Sequence, residues 1–426
     1  MKILIKKATV VNPDITFNAD ILISNSKIVK ISQNIRERAD KEIDAEGKFV
    51  MPGFIDMHTH LRTPGREDEE DLLSGSQAAA KGGFTTICCM SNTSPCIDNE
   101  GLARWIIDEA EKIGLVDILP IGAITRDRKG RELTEFGALA KAGCCALSDD
   151  GDSIEDSAIF RKALEYAKMF DLLIISHCED RSLSQEGAMR ESFISSKYGI
   201  ASIADISESL RVYRDIEIAR YVDARLHLAH ISCAKSIDII RKARKGFPRL
   251  TCETAPHYFL LTVDDIERGG FSGNYRVNPP LGEKKDTLAI KDALKEGTID
   301  CIATDHAPHS FAEKELPFEQ APCGFIGLEL AFSLAYTQLV RNNFIDLSNL
   351  VRKMSANPAR ILKLPLKGEI KEGFVADIVV VNLEKEWRVQ EDNLFSKSKN
   401  TPFLGQIFKG VVEYTIHRGR IVYKNE

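Results

Sequence analysis

The chain has 426 residues, 43% of them hydrophobic and 28% charged, with a formal net charge of −6. Such a length exceeds one small core and accommodates a barrel of about 250 residues together with a second module. The mild acidic balance argues against a non-specific nucleic-acid or membrane binder, and no apolar run reaches the roughly 20 residues that span a bilayer.

The opening MKILIKKATVVNPD carries lysines but no long apolar stretch or small-residue cleavage site, so no secretory signal is expected. Residues 1–50 read as short strands, ILIKKATVV, ADILISN, KIVKIS and GKFVMPG, separated by turn-forming Asn-Pro, Asn-Ser and Glu-Gly. The pattern then changes to apolar strands alternating with amphipathic helices. Candidate strands run GFIDMH from Gly53, TTICCM from Thr85, DILPIGA from Asp117 and CCALSD from Cys144. LLIISH from Leu172, LHLAHI from Leu226, LTCETA from Leu250 and DCIATD from Asp300 follow. Between them, segments such as ADISESLRVYRDIEIARYVDA and CAKSIDIIRKARK repeat apolar residues at helical spacing. Eight strands each followed by a helix is the count of an α/β, TIM-type (β/α)8 barrel, expected over residues 51–365, although alternation alone also suits a doubly wound open sheet. Further on, ADIVVVNL, VVEYTIHRG and RIVYKN are again β-rich, and GEIKEG supplies turns. We expect a small β-sandwich module made from residues 1–50 and 366–426, though contact between the two ends is not visible in sequence. No internal repeat or low-complexity tract is found.

Ten cysteines raise the question of disulfides, but Cys88–Cys89 and Cys144–Cys145 are adjacent pairs inside apolar runs and no CxxC occurs. Reduced thiols and a cytoplasmic location are the simpler expectation.

Of nine histidines, eight lie between His58 and His309, and six of the nine stand at or just beyond the C-terminal end of a proposed strand. That end is where barrel enzymes build their sites. In Asp56-Met57-His58-Thr59-His60, residues two apart on a strand face the same way, so His58 and His60 can present two imidazoles to one ion. Taken alone, the pair fits equally well one exposed and one core histidine. His177 ends LLIISH and His230 ends LHLAH, giving a second pair at the same mouth, and Asp305 follows the last strand. A carboxylate beside a metal-bound water can hold the ion and also shuttle a proton. Either Asp149 or Asp150, in SDDG after the fourth strand, can bridge two ions, and the same residues also suit a plain turn before Gly151. His227 is read as packing, His257 and His306 as supporting or structural, and His417 as a surface residue of the C-terminal module. Arg62 can take a substrate carboxylate bidentately or be an ordinary surface arginine. Asn92 and Asn278 can hydrogen-bond a ring amide or merely cap turns.

Together, PGFIDMHTHLRTPG, MSNTSP, TCETAPHYFLLT, NPPL and IATDHAPHSFAEKELPFEQAPCGFIGLE resemble the bacterial class I dihydroorotases of the amidohydrolase superfamily. GEIKEGFVADIVVVN and NTPFLGQIFKGVVEYTIHRGRIVY extend the likeness over nearly the whole chain, whereas HxH alone indicates only the superfamily. The resemblance implies reversible, zinc-dependent opening of dihydroorotate to N-carbamoyl-L-aspartate, a step of pyrimidine biosynthesis. It implies two Zn2+ ions with a bridging water. His58, His60 and Asp305 would hold one ion and His177 and His230 the other, with Asp150, rather than Asp149, as the bridge. Asp305 is the implied catalytic proton acceptor. Substrate contacts carry over to His60, Arg62, Asn92, Asn278 and His309, with backbone at Cys323 and Gly324 closing over the ring. A homodimer and association with aspartate transcarbamoylase are both compatible with it. The loop from His309 to Gly324, long and polar, is a candidate moving element.

Three positions depart from the family pattern. Ser91 stands where Pro is expected, Gly282 follows NPPL where Arg is common, and Cys323 replaces the usual Phe. None removes an implied ligand or Arg62. Hydantoinases, dihydropyrimidinases and allantoinases use a carboxylated lysine as the bridge, and CCALSDDG offers none. A barrel that has lost its chemistry and serves as a scaffold is the alternative from another class, but all six implied ligands are present.

Overall fold

The computed structural model describes residues 1–425. Strand β1 (Lys2–Val11) pairs antiparallel with β2 (Thr16–Ser24), which pairs with β3 (Lys27–Ser32). β4 (Lys41–Asp44) and β5 (Phe49–Pro52) run parallel to β1. One residue past β5 the chain enters β6 (Phe54–Thr59), the first of eight parallel strands. β7 (Phe84–Cys89), β8 (Asp117–Gly122), β9 (Ala146–Leu147) and β10 (Leu173–Ser176) come next. A short parallel pair, β11 (Met189–Arg190) and β12 (Ser202–Ile203), decorates the following connection. β13 (Leu226–Leu228), β14 (Leu250–Thr254) and β15 (Cys301–Ile302) complete the set. Each pairs with its sequential neighbour, and a Thr59–His306 bridge, with His60 N donating to His306 O at 2.8 Å, joins first to last. The structure is therefore the expected barrel and not an open doubly wound sheet.

Helices fill the crossovers where periodicity placed them, including Ile206–Val222 and Ala234–Arg244. The helix Leu72–Gly82 shows the local logic. Asp71 and Ser74 form its capping box, and Gly83, at φ +88°, turns the chain into β7 where a Cβ would lie 2.9 Å from the Phe54 ring. No described helix is long and apolar enough to cross a membrane.

Inside the barrel, Ile55, Met57, Cys88, Ile121, Leu173 and Ile175 pack on one another, and Ile361 and Leu362 from the end of a later helix belong to the same apolar cluster. The C-terminal strands β16 (Ile378–Arg388), β17 (Ile407–His417) and β18 (Arg420–Lys424) return to the N-terminal sheet. β16 pairs antiparallel with β5, Val380 opposite Val50, so the contact hidden in the sequence is a strand pairing within one sheet. That sheet curls on itself. Ile21 and Ile28 from one end share a core with Ile378 and Ile416 from the other, and Ala376 N donates to Ser26 O at 2.8 Å.

Candidate active site

His58 and His60 leave the end of β6, where pairing with β7 shifts register between Asp56 and Thr59. Strict alternation would turn His58 away from the interior that Met57 faces, and a break in register is how a strand re-aims side chains beside a site. Both imidazoles meet carboxylates. His60 Nε2 lies 3.1 Å from Asp305 Oδ1, and His58 Nε2 lies 3.5 Å from the same oxygen and 3.2 Å from Asp150 Oδ2. The other oxygen of Asp150 faces the other pair, 3.3 Å from His230 Nε2 and 3.5 Å from His177 Nδ1, with 2.9 Å between those two nitrogens. One carboxylate thus spans two imidazole pairs. Asp149 points elsewhere and accepts hydrogen bonds from the Ile124 and Thr125 backbone N–H groups at 2.8 and 3.0 Å.

His58 Nε2 is buried and makes no well-formed hydrogen bond although two carboxylates surround it. Imidazole nitrogens and carboxylate oxygens converging without another donor suit a divalent metal. Backbone strain accompanies this convergence. Arg62, His230 and Asp305 have φ of +59°, +35° and +50°, a region that non-glycine residues enter at a cost and that recurs at functional sites.

Carboxylates that the sequence did not single out stand behind the imidazoles. Glu253 on β14 lies 2.9 Å from His58 Nδ1 and 3.3 Å from His227 Nε2. Glu179 lies 2.9 Å from His177 Nε2 and accepts from Asn278 Nδ2 at 3.0 Å. Asn92 Oδ1 lies 2.8 Å from His60 Nδ1. These partners fix which ring nitrogen faces the centre. Glu253 was legible only as the Glu of TCETA; its partner is 195 residues away.

The ionisation of the cluster follows from competing forces. Burial disfavours the charged form of His177, but Asp150 and Glu179 outweigh it and raise its pKa to about 10. Burial likewise opposes charging His58, and Asp150, Glu253 and Asp305 hold it well above the ordinary histidine value. Burial pushes Glu253 up, yet His227 and His58 bring it down to about 2. At neutral pH the metal-free centre therefore carries protons that an incoming cation must displace. Affinity for a divalent metal should rise with pH, about tenfold per pH unit for each proton displaced. Calorimetry of the metal-free protein at pH 6–8, in buffers of different ionisation enthalpy, measures that release; a pH-independent affinity would contradict the ionisation described.

On the open side, Arg62, Asn92, Asn278, His309, Cys323 and Gly324 line a cavity of about 290 Å³ shared with His60, Asp150, His177, His230 and Asp305. Arg62 is held from behind, its Nε donating to Pro308 O at 3.0 Å and lying 3.1 Å from Glu69 Oε2. Glu69, unmarked by any motif, also lies 2.9 Å from His309 Nδ1. Gly324, at φ +117°, packs so closely that a Cβ would sit 2.4 Å from Ala307 Cβ. Ser91 donates from its hydroxyl to Ser148 O and so tethers the turn after β7 to the segment bearing Asp150.

The remaining histidines lie outside the cluster. His306 is fully buried and accepts from Gly327 N at 3.1 Å, and His257 packs against Tyr258 and Phe325. His417 corrects the expectation of a surface residue. It is 5% exposed and its Nε2 lies 3.1 Å from Asp117 Oδ1, so it joins the C-terminal sheet to β8.

Residues 47–236 match the family described as "Dihydro-orotase-like", and residues 277–423 match the "Amidohydrolase family". The chain is 46% identical to a protein named dihydroorotase from Elusimicrobium minutum, covering 100% of this chain and 98% of that one. It is 44% identical to one so named from Trichlorobacter lovleyi, covering 99% of each. Among solved structures it is similar to L-hydantoinase (dihydropyrimidinase) from Arthrobacter aurescens, with a TM-score of 0.89 at 25% identity over 99% of this chain and 96% of the other. It is also similar to a dihydropyrimidinase from Brevibacillus agri, with a TM-score of 0.85 at 26% identity over 100% and 95%.

Proposed function

The chain belongs to the dihydroorotase family of amidohydrolases, and on that premise we propose that this site opens dihydroorotate to N-carbamoyl-L-aspartate and closes it again. The observation that carries the reading is Asp150, one carboxylate with an oxygen toward each of two imidazole pairs. Two zinc ions would be held by His58, His60 and Asp305 and by His177 and His230, with Asp150 between them. When bound they would acidify a water and polarise the ring carbonyl. Asp305 accepts the proton released in attack and returns it to the ring nitrogen as the amide bond breaks. Burial favours its neutral form, but in the metal-free cluster His60 and His58 hold its carboxyl well below the ordinary range. Arg62, Asn92 and His309 hold the carboxylate end, and Asn278, Cys323 and Gly324 border the ring. His60 touches both sides of this arrangement.

We further read residues 1–50 with 366–426 as one module and 51–365 as the catalytic barrel. The ten free cysteines suit the cytoplasm. A second copy or an aspartate transcarbamoylase as partner is compatible with this chemistry.

The test is a metal-defined assay in which zinc-loaded and chelated protein each meet dihydroorotate, hydantoin and dihydrouracil. Zinc-dependent opening of dihydroorotate is expected, with far slower turnover of the uncharged rings. Preferred turnover of the uncharged rings would discard the role of Arg62, and no turnover would favour a scaffold.

A further inference from the structure

Lys314 ends the short helix Phe311–Lys314 in the loop after β15, and it is 4% exposed. Burying a lysine without a carboxylate partner is costly. Its ammonium is spent instead on backbone, donating to Pro322 O and to Gly324 O, each at 2.8 Å. Neighbouring carbonyls are held in the same manner. Arg276 Nη1 donates to Glu319 O and Ala321 O at 2.6 and 2.5 Å. Gly324 N donates to Arg276 O at 2.8 Å. The carbonyls of Ala321, Pro322 and Gly324 are thus turned onto side chains, and among the described residues the Cys323 N–H has no partner. A trans peptide points its N–H opposite its C=O. Fixing Pro322 O therefore fixes the direction of the Cys323 N–H, on a residue that lines the substrate cavity.

We propose that Lys314 is a positioning residue for substrate recognition: by gripping the Pro322 and Gly324 carbonyls it presents the Cys323 N–H to an oxygen of the bound ring. Lys314 itself touches neither substrate nor the metal-ligating side chains. The inference rests on Cys323 and Gly324 bordering the ring, as read above. Loss of the grip should then weaken binding and spare chemistry, because Asp150, Asp305 and the metal-ligating imidazoles take their side-chain partners from outside this loop.

The experiment compares Lys314→Met, which keeps the apolar stem, and Lys314→Arg, which keeps donors, with the wild-type enzyme. For Lys314→Met we expect KM for dihydroorotate to rise about tenfold or more, kcat to stay within about twofold, and zinc content to be unchanged. Lys314→Arg should recover most of the KM. Alkylation of Cys323, followed by peptide mass spectrometry, gives a readout besides turnover: protection by dihydroorotate should need about tenfold more ligand in Lys314→Met. If that variant is insoluble, Lys314→Gln replaces it with the same expected direction. An unchanged KM in a folded, active variant overturns the proposal, as does a joint fall of kcat and zinc content. A wild-type protein inactive on dihydroorotate would instead defeat the functional reading on which it stands.

Discussion

Replacing Asp305 by Asn is expected to lower kcat for dihydroorotate by roughly a thousandfold or more while leaving much of the metal bound, the range seen when a positioned proton-transfer group is lost. Asp305 lies within 3.5 Å of His58 and His60 and reaches the cavity from the last-strand side of the barrel seam. Its backbone is held in the left-handed region at φ +50°, next to His306, whose bridge to Thr59 joins the first and last strands. Asn preserves the shape and one acceptor oxygen but cannot take up a proton to give a neutral acid. Single-turnover and steady-state kinetics with zinc measured on the same sample separate the two roles. Turnover within tenfold of wild type at full zinc content would remove Asp305 from proton transfer.

Arg62→Met should raise KM for dihydroorotate by about a hundredfold, the loss of one charge-assisted carboxylate contact worth roughly 2–3 kcal/mol. Its Nε is committed to Pro308 O and Glu69, and Nη2 lies 3.1 Å from His309 Nε2, which leaves the outer edge of the guanidinium to a ligand. Met retains most of the stem, so the cavity wall persists. Turnover of dihydrouracil, which lacks the carboxylate, should change little, so discrimination between the two rings should narrow. A hundredfold loss on both substrates would instead indicate a damaged centre.

Much of the barrel was legible because eight apolar runs alternate with segments of helical period, and four of them, GFIDMH, CCALSD, LLIISH and DCIATD, end in His or Asp, where strand ends collect site residues. Spacing alone could not tell Asp149 from Asp150, since adjacent residues share one local pattern, and only the family resemblance favoured Asp150. What separates them is that backbone N–H groups of Ile124 and Thr125, on another strand's loop, claim one and two imidazole pairs face the other. Glu179, two residues from His177, was passed over although its partner is local, whereas Glu69 and Glu253 were missed because their imidazole partners are distant in sequence. His417 was misread for the same reason, its partner Asp117 belonging to the barrel. The union of the chain ends was expected from their shared β-rich pattern, but the pairing of β5 with β16 was not legible, because apolar alternation marks a strand but not its neighbour.

The sheet order also sets a timetable for synthesis. β5 lies between β1 and β16, so one flank of the strand leading directly into His58 stays unpaired until residues 378–388 have left the ribosome. A nascent chain would therefore hold a nearly finished barrel beside an open strand edge, the kind of exposed edge that recruits other chains. Truncation before residue 378 should accordingly yield aggregates rather than a soluble metal-binding barrel.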